Sequence, residues 1–465
     1  MKKLIILFSN FSFILSQVFE GLTLLTNLGG APGIEYKTRL INNDFEEINV
    51  WSHGGTPYSI GYLSPDSVLT IGYKQNQDND TAPRVVKLNW QGEIIWEGIF
   101  DTSIIDPHHD IEPMPNGNIL LIGWESISPA QATQAGRLDV SSTFNPDKII
   151  EIHPYGDSDY DIVWQWRAWE HTVQNVGQEF DNFGVVLEHP RLADINLTVI
   201  GPGQGDWMHT NAISYNEGLD QVALSVRHLC EIWIIDHSTT VDESSGHSGG
   251  NAGYGGDIIY RWGNPANYDR GDDSEQILDA PHGVNWIPDS YSGGGNILIF
   301  NNRHDTNNSA ILEVAPEADS SGAYIIDDQS PFLPELYDWI YQDNFYSLNQ
   351  SGAFRLPNGN TLLTTSSDSK VFEISGDEVV WEFSYTSGGF IPRAIKYPLH
   401  YLNSCLAGDS NQDGNIDLFD IVLIISFIIG NDSPTADEQC SSDINQDGSL
   451  DIEDILQIIH IIINT

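Results

Sequence analysis

The chain has little positive charge. Its 465 residues hold 19 Lys and Arg against 66 Asp and Glu, a net charge of −47. Such a surface repels phosphodiester backbones and argues against nucleic acid as a partner. It suits calcium, cationic partners or a saline exterior. No Lys or Arg follows Lys396, so the tail is purely acidic. Long apolar runs are also missing. Leu4 to Ser16 and Ile421 to Gly430 are both too short to span a bilayer, so no transmembrane span is expected. Lys2 and Lys3 followed by the short apolar stretch read as a signal peptide over residues 1–20, cleaved near Ser16. The expected location is therefore secreted, periplasmic or cell-surface. Cysteine is scarce, at 3 residues. Cys405 and Cys440 precede Asp-rich loops in matching places, and export permits a disulfide between them or leaves two free thiols. Cys230 lies in an apolar run and is expected to be a buried thiol.

What the sequence does have is an internal repeat. Ser59-Ile-Gly-Tyr-Leu-Ser-Pro65-Asp66 shares a frame with His109-Asp-Ile-Glu-Pro-Met-Pro115-Asn116. The frame returns from His209 to Asn216, His282 to Asp289 and Ser351 to Asn358, and more weakly from Ile391 to Pro398. A strand follows the turn at Asn118-Ile-Leu-Leu-Ile, Gln221-Val-Ala-Leu-Ser, Asn296-Ile-Leu-Ile-Phe and Asn360-Thr-Leu-Leu-Thr, which is a hairpin signature. Between hairpins comes an acidic residue, a short apolar stretch and Trp. It reads at Glu47–Trp51, Glu93–Trp96, Asp161–Trp164, Asp257–Trp262 and Glu378–Trp381, with Asp338-Trp339 degenerate. Hairpin plus outer strands makes a four-stranded blade, so the count predicts an all-β, six-bladed propeller over residues 21–403. The chain would begin on outer strands (Thr38 to Trp51) and end on an inner one (Phe390 to Leu402), closing one blade and removing an open edge. Two segments break the rhythm and could rim a site. Trp166 to Trp207 includes a candidate short helix at Ala168-Trp-Glu-His-Thr-Val-Gln, and Ser244 to Gly256 is Gly-rich.

The same inner-strand position holds His109, His209 and His282 in three blades, Ser59 and Ser351 in two, and Ile391 in the last. Inner strands line the channel, so three imidazoles are expected to converge. Asn211 lies two residues after His209 and points to the same side. Arg227 ends the partner strand of that hairpin, and Arg303 holds a similar place one blade later. His108, Asp110 and Glu112 lie close to the first His. Imidazoles around an Arg make an anion site. The other readings are a transition metal held by the three His and a non-catalytic scaffold that binds glycans or proteins.

His108-His-Asp-Ile-Glu-Pro-Met-Pro-Asn-Gly-Asn, Asp206-Trp-Met-His-Thr-Asn, Ser225-Val-Arg and His282-Gly-Val-Asn-Trp-Ile-Pro resemble the arylsulfotransferases that need no nucleotide sulfate donor. The resemblance covers roughly Thr38 to Leu402 and implies a six-bladed propeller. It also implies ping-pong transfer from an aryl sulfate donor to a phenolic acceptor, with no cofactor required for catalysis. By motif, His282 would be the nucleophile forming a sulfohistidine. His209, Arg227 and Asn211 would hold the sulfuryl oxygens, and His109 would serve proton transfer or sulfuryl binding. Arg227 would disfavour an imidazolium and keep His282 neutral.

Residues 404–465 contain Asp409-Ser-Asn411-Gln-Asp413-Gly414-Asn415-Ile-Asp417-Leu-Phe-Asp420 and, in register, Asp443-Ile-Asn445-Gln-Asp447-Gly448-Ser449-Leu-Asp451-Ile-Glu-Asp454. Oxygen ligands at positions one, three, five, nine and twelve, a backbone carbonyl at seven and Gly at six make calcium loops of EF-hand type. Asp at position twelve resembles type I dockerins, which implies a small α-helical module and a cohesin-type protein partner. Apolar helices are expected at Ile421–Ile429 and Ile455–Ile463. The alternative is a calcium-stabilised cap without a partner.

Overall fold

The computed structural model describes residues 17–465 except 29–35, 76–80, 139, 141, 198–204, 328, 386–389, 400, 403–406, 412–414, 446 and 465. Most of the expected signal peptide and Cys405, Asp413 and Gly414 lie outside the described residues. Six antiparallel sheets form the six blades. From the channel outward, blade 1 runs Ala394–Pro398, Gly21–Thr26, Lys37–Ile41 and Glu47–Ser52. Blade 3 runs Asp106–Pro113, Ile119–Trp124, Asp147–Tyr155 and Asp159–Arg167, and blade 4 runs Thr210–Asn216, Gln221–Val226, Glu231–Asp236 and Ile258–Trp262. Blade 5 begins with Pro281–Trp286 and Ile297–Asn301, and blade 6 with Gly352–Arg355 and Thr361–Thr365. Blade 2 splits its inner strand into Gly55–Pro57 and Tyr62–Leu63, both paired with Leu69–Gln75.

The two ends of the propeller sequence share blade 1, as expected, but the strand beside the inner one was not. Gly21–Thr26 pairs with both Ala394–Pro398 and Lys37–Ile41. All six of its residues are buried, so it carries no alternation by which to be read. Gly21 is required there, because a Cβ would sit 2.6 Å from the Tyr397 carbonyl oxygen.

Every acid–apolar–Trp signal falls at an outermost strand, and the Trp has a common task. Trp51, Trp96, Trp262 and Trp381 donate their indole N–H to the Asn89, Asp159, Pro334 and Asn43 carbonyls at 2.9–3.0 Å. Trp164 donates to Thr239 Oγ1 at 3.0 Å. Each acceptor belongs to the next blade round the ring. The indoles bury apolar area and tie neighbouring sheets at the rim. The degenerate Trp339 instead lies under the Arg355 guanidinium of the next blade, 5.1 Å from the ring centre.

The candidate helix after Trp166 is only a single turn, Ala168–Glu170, followed by a two-strand pairing of Thr172–Val173 with Ala193–Asp194. Cys230 is half-buried, with left-handed backbone before a strand rather than within one. The tail forms helices Leu418–Ile428 and Ile452–Asn464, which pack together, and an unexpected third, Ala436–Ser442. Cys440 is disulfide-bonded.

Candidate active site

The inner strands do not run smoothly past the channel. Their registers slip between Leu121 and Gly123 in blade 3, Thr210 and Ile213 in blade 4, and His282 and Asn285 in blade 5. His109, His209, Gly283 and Ser351 have φ of 61°, 52°, 59° and 83°. A bulge re-aims the side chains beside it, and left-handed backbone at a non-glycine residue costs about 1–2 kcal/mol. The repeat therefore places its irregularity at the position that carries the histidines.

His109, Asn211 and His282 line one narrow space of about 40 Å³ on the axis, together with Ser59 and Ser351. His209 joins through its ring, 4.4 Å from that of His109. The Arg227 charge acts on both His109 and His282. Its guanidinium reaches Asn349 Oδ1 at 3.4 Å. Arg303 stays at the rim, 41% exposed and 3.7 Å from Asp279. Ile391 is buried in core and brings no polar group.

His282 is oriented by a residue that sequence reasoning missed. Buried Asn302 donates its amide N–H groups to the Ser347 and Gln350 carbonyls at 2.8 and 3.0 Å. Its Oδ1 therefore faces His282 Nδ1, at 2.7 Å, and the Ala280 carbonyl is a second acceptor at 3.1 Å. Two acceptors at Nδ1 require the proton there, which leaves the lone pair on Nε2. Burial first, and the Arg227 charge second, push the His282 pKa down to about 3, so the ring is neutral. Burial also holds His109 well below the ordinary imidazole value, helped by the nearby imidazoles and Arg227.

A second group of partners was also missed. His209 Nδ1 is 2.5 Å from Asp206 Oδ2, and Asp206 Oδ1 accepts the Trp124 indole N–H at 3.2 Å. The His228 ring stacks on His209 with centres 4.6 Å apart. His108 Nδ1 lies 2.8 Å from His109 Nδ1 and its Nε2 faces Asp147 at 3.4 Å. Of this group the sequence had offered His108 beside the first His and Asp206 inside the Asp-Trp-Met-His-Thr-Asn motif, while His228 and Asp147 carried no signal. Asn211 is tied down, donating to the Pro281 carbonyl at 2.9 Å and accepting from Ser225 Oγ at 2.6 Å. At this end, the described residues close enough to share an ion are Asp206, His209 and His228, not the three expected imidazoles.

Below the histidines the channel is closed by an ionic plug. Arg393 donates to Asp110 Oδ2 at 2.6 Å and to the Tyr62 hydroxyl at 2.8 Å, and Tyr62 donates to Asp110 Oδ1 at 2.8 Å. Beyond the plug a cavity of about 1220 Å³ opens among the hairpin turns. Glu112 lines that cavity, its pKa raised to about 8 by burial and by the Asp110 charge. Asp110 and Glu112 are thus on the far side from the imidazoles' open faces.

One pH effect follows from His282. Its folded pKa lies below the ordinary 6.5. Above pH 6.5 neither folded nor unfolded chain protonates the ring, and its stabilising contribution is complete. Below pH 6.5 only the unfolded chain takes the proton, and stability falls by about 1.4 kcal/mol per pH unit. Urea midpoints at pH 7.5 and 5.0 should therefore differ less in His282→Gln than in the wild type. Parallel shifts would contradict the burial of a neutral ring.

In the tail, Asp443 accepts from Asp447 N and Gly448 N at 3.1 and 2.9 Å, and Asp454 accepts from Asn445 N and Asp451 N at 3.4 and 2.9 Å. Burial, then the Asp454 and Asp447 charges, raise the Asp443 pKa to about 7. Crowded carboxylates folded inward by backbone N–H groups fit a calcium ion. In the first loop Asp420 accepts from Asn411 N and Asp417 N at 3.1 and 2.8 Å. Asp417 and Asp451 also accept from Phe419 N and Glu453 N at the helix starts, while Asn415 and Ser449 are exposed and Asp409 is buried.

A model of the arylsulfotransferase (ASST) family matches residues 62–389, and a type I dockerin domain matches residues 407–463. The chain belongs to the arylsulfotransferase family. It carries a dockerin module behind its propeller. No curated protein matches the chain. Among solved structures, a Bacteroides caccae protein of unknown function is 12% identical, covering 81% of this chain and 98% of its own, with a TM-score of 0.46. The Pseudomonas aeruginosa periplasmic gluconolactonase is 12% identical, covering 81% and 85%, with a TM-score of 0.38. An inactive virginiamycin B lyase from Staphylococcus aureus is 12% identical, covering 78% and 84%, with a TM-score of 0.34. Likenesses this loose carry nothing about chemistry. Family membership supports sulfotransferase activity and a dockerin-mediated partner. Among the described residues no helix is long and apolar enough to cross a membrane.

Proposed function

We propose that this protein transfers a sulfuryl group from an aryl sulfate to a phenol through a sulfohistidine at His282. The observation that carries the reading is the neutral His282 ring whose Nδ1–H is held by Asn302, leaving Nε2 free. In the first half-reaction the Nε2 lone pair attacks sulfur. The N–S bond forms, the S–O bond to the aryl group breaks, and the phenolate leaves with that electron pair. In the second, the acceptor oxygen attacks sulfur, the N–S pair returns to Nε2, and the acceptor's proton replaces the one taken by the first phenolate.

Charge on the moving group spreads over three oxygens, so positioned donors matter more than covalent chemistry. Arg227 supplies permanent charge, and His109, kept neutral, supplies an N–H. Asn211 shapes the wall. His209, with the Asp206 carboxylate at its Nδ1, is the imidazole best equipped to carry the proton between half-reactions. No step needs a metal or nucleotide. Calcium would be held in the tail by Asp409, Asn411, Asp413, Asn415, Asp417 and Asp420, and by Asp443, Asn445, Asp447, Ser449, Asp451 and Asp454. Its part there is to fold the module. Leu418, Phe419 and Val422 on one helix, and Ile452 and Leu456 on the other, are exposed apolar residues that suit a cohesin-type partner. Secretion to the medium or cell surface is the matching location.

Asn302 is a positioning residue in this scheme. Asn302→Leu should lower kcat roughly 10–100-fold with KM little changed, while Asn302→Asp, which keeps an acceptor at Nδ1, should retain more activity. Equal rates in Asn302→Leu and wild type would remove Asn302 from the account. The reading as a whole is tested by turnover of 4-nitrophenyl sulfate with a phenol acceptor in the presence of a chelator. Product sulfate ester is expected, and failure across many aryl donors would favour a binding propeller.

A further inference from the structure

A second histidine cluster lies outside the channel, where the two interruptions of the repeat meet. His171 follows the single turn Ala168–Glu170, and His247 sits in the Gly-rich run before Asp257. His171 Nδ1 lies 2.9 Å and His247 Nδ1 2.7 Å from the same Asp257 oxygen, Oδ1. His171 is 1% exposed and stacks on Trp166 with the rings within 2° of parallel. Its Nε2 is 2.9 Å from the Ser244 carbonyl.

That last contact decides the chemistry. A carbonyl only accepts, so Nε2 carries the ring's proton. In the neutral ring Nδ1 is then a bare lone pair, aimed at a carboxylate oxygen in a buried place. Two acceptors in contact need positive charge between them. His247 aims a second nitrogen at the same point. A backbone carbonyl that fixes the tautomer of an otherwise free imidazole nitrogen is the usual outer support of a metal-ligating histidine.

We infer that His171 Nδ1, His247 Nδ1 and an Asp257 carboxylate oxygen form a site for a divalent transition ion of zinc type. Two imidazoles and a carboxylate are a borderline-soft donor set, unlike the all-oxygen loops of the tail. Ligands of a tetrahedral ion at about 2.0–2.1 Å stand about 3.3 Å apart, so the cluster must open by a few tenths of an ångström. His247 is 60% exposed on its loop and can make that shift. The ion would clamp the Gly-rich loop to the blade 3 insertion, and none of its three ligands lines the space around His282.

The test uses the tag-free full-length chain with calcium present, titrated with Co²⁺ and read by visible d–d absorption. One tight site with an intense tetrahedral spectrum is expected. His247→Ala, at an exposed position, should abolish it and leave aryl sulfate turnover unchanged, while His228→Ala should keep it. Loss of the spectrum in His228→Ala but not in His247→Ala would move the ion to the Asp206 cluster and overturn the proposal. So would the absence of a tight Co²⁺ site in the wild type.

Discussion

Replacing His282 with alanine is expected to lower kcat/KM for aryl sulfate turnover by roughly 10⁴-fold or more. The size follows from the kind of role. A nucleophile cannot be replaced by the remaining donors, because water or the acceptor would have to attack the ester directly. What survives is the electrostatic share contributed by Arg227 and the imidazoles around it. The ring sits in a buried space, so alanine also leaves a cavity. His282→Gln keeps most of the volume and should be equally inactive. Steady-state assays of both variants, beside a urea melt, separate chemistry from folding. Residual activity within 10-fold of wild type in a folded variant would contradict the assignment.

Arg227→Ala should cost roughly 10²–10³-fold in kcat. Two effects combine. The guanidinium carries a permanent charge that reaches both His109 and His282, so its loss removes transition-state stabilisation from the sulfuryl oxygens. It also relaxes the depression of the His282 pKa, for which it is the second cause after burial. The acid limb of the rate profile should therefore move to higher pH in the variant, because more of the nucleophile is protonated at a given pH. Arg227→Lys restores the charge but not the planar fork, and should recover only part of the rate. A rate in Arg227→Ala close to wild type, with no shift of the acid limb, would show that the Arg serves the rim alone.

The repeat was legible because two of its parts are chemically conspicuous. Turns that open Pro-Asn or Pro-Asp mark the inner hairpins at Pro65, Pro115, Pro288 and Pro357, and the outer Trp recurs because its indole ties one blade to the next. Gly21–Thr26 was not legible, since a strand buried on both faces loses the alternation that marks a half-buried one. The three histidines could be aligned because the bulge that aims them recurs at one position of the repeat. Their partners could not. Asn302 lies 20 residues from His282 and meets it across a hairpin. Which of the many Asn and Asp side chains turns inward is decided by that crossing and not by local pattern. The pairing of His171 with Asp257 is of the same kind, across 86 residues and two insertions. The two Asp-rich tail loops could be aligned on each other because every residue of their motif comes from one short stretch.

The mechanism stands on transfer of the sulfuryl group to His282 Nε2. Wild-type protein is mixed with aryl sulfate donor and no acceptor, quenched at neutral or basic pH, then digested and mapped by mass spectrometry. One sulfuryl adduct per chain is expected, on His282, discharged when a phenol is added before the quench. An adduct on His109 or His209, or full turnover with no adduct on any histidine, would rule out His282 as the nucleophile.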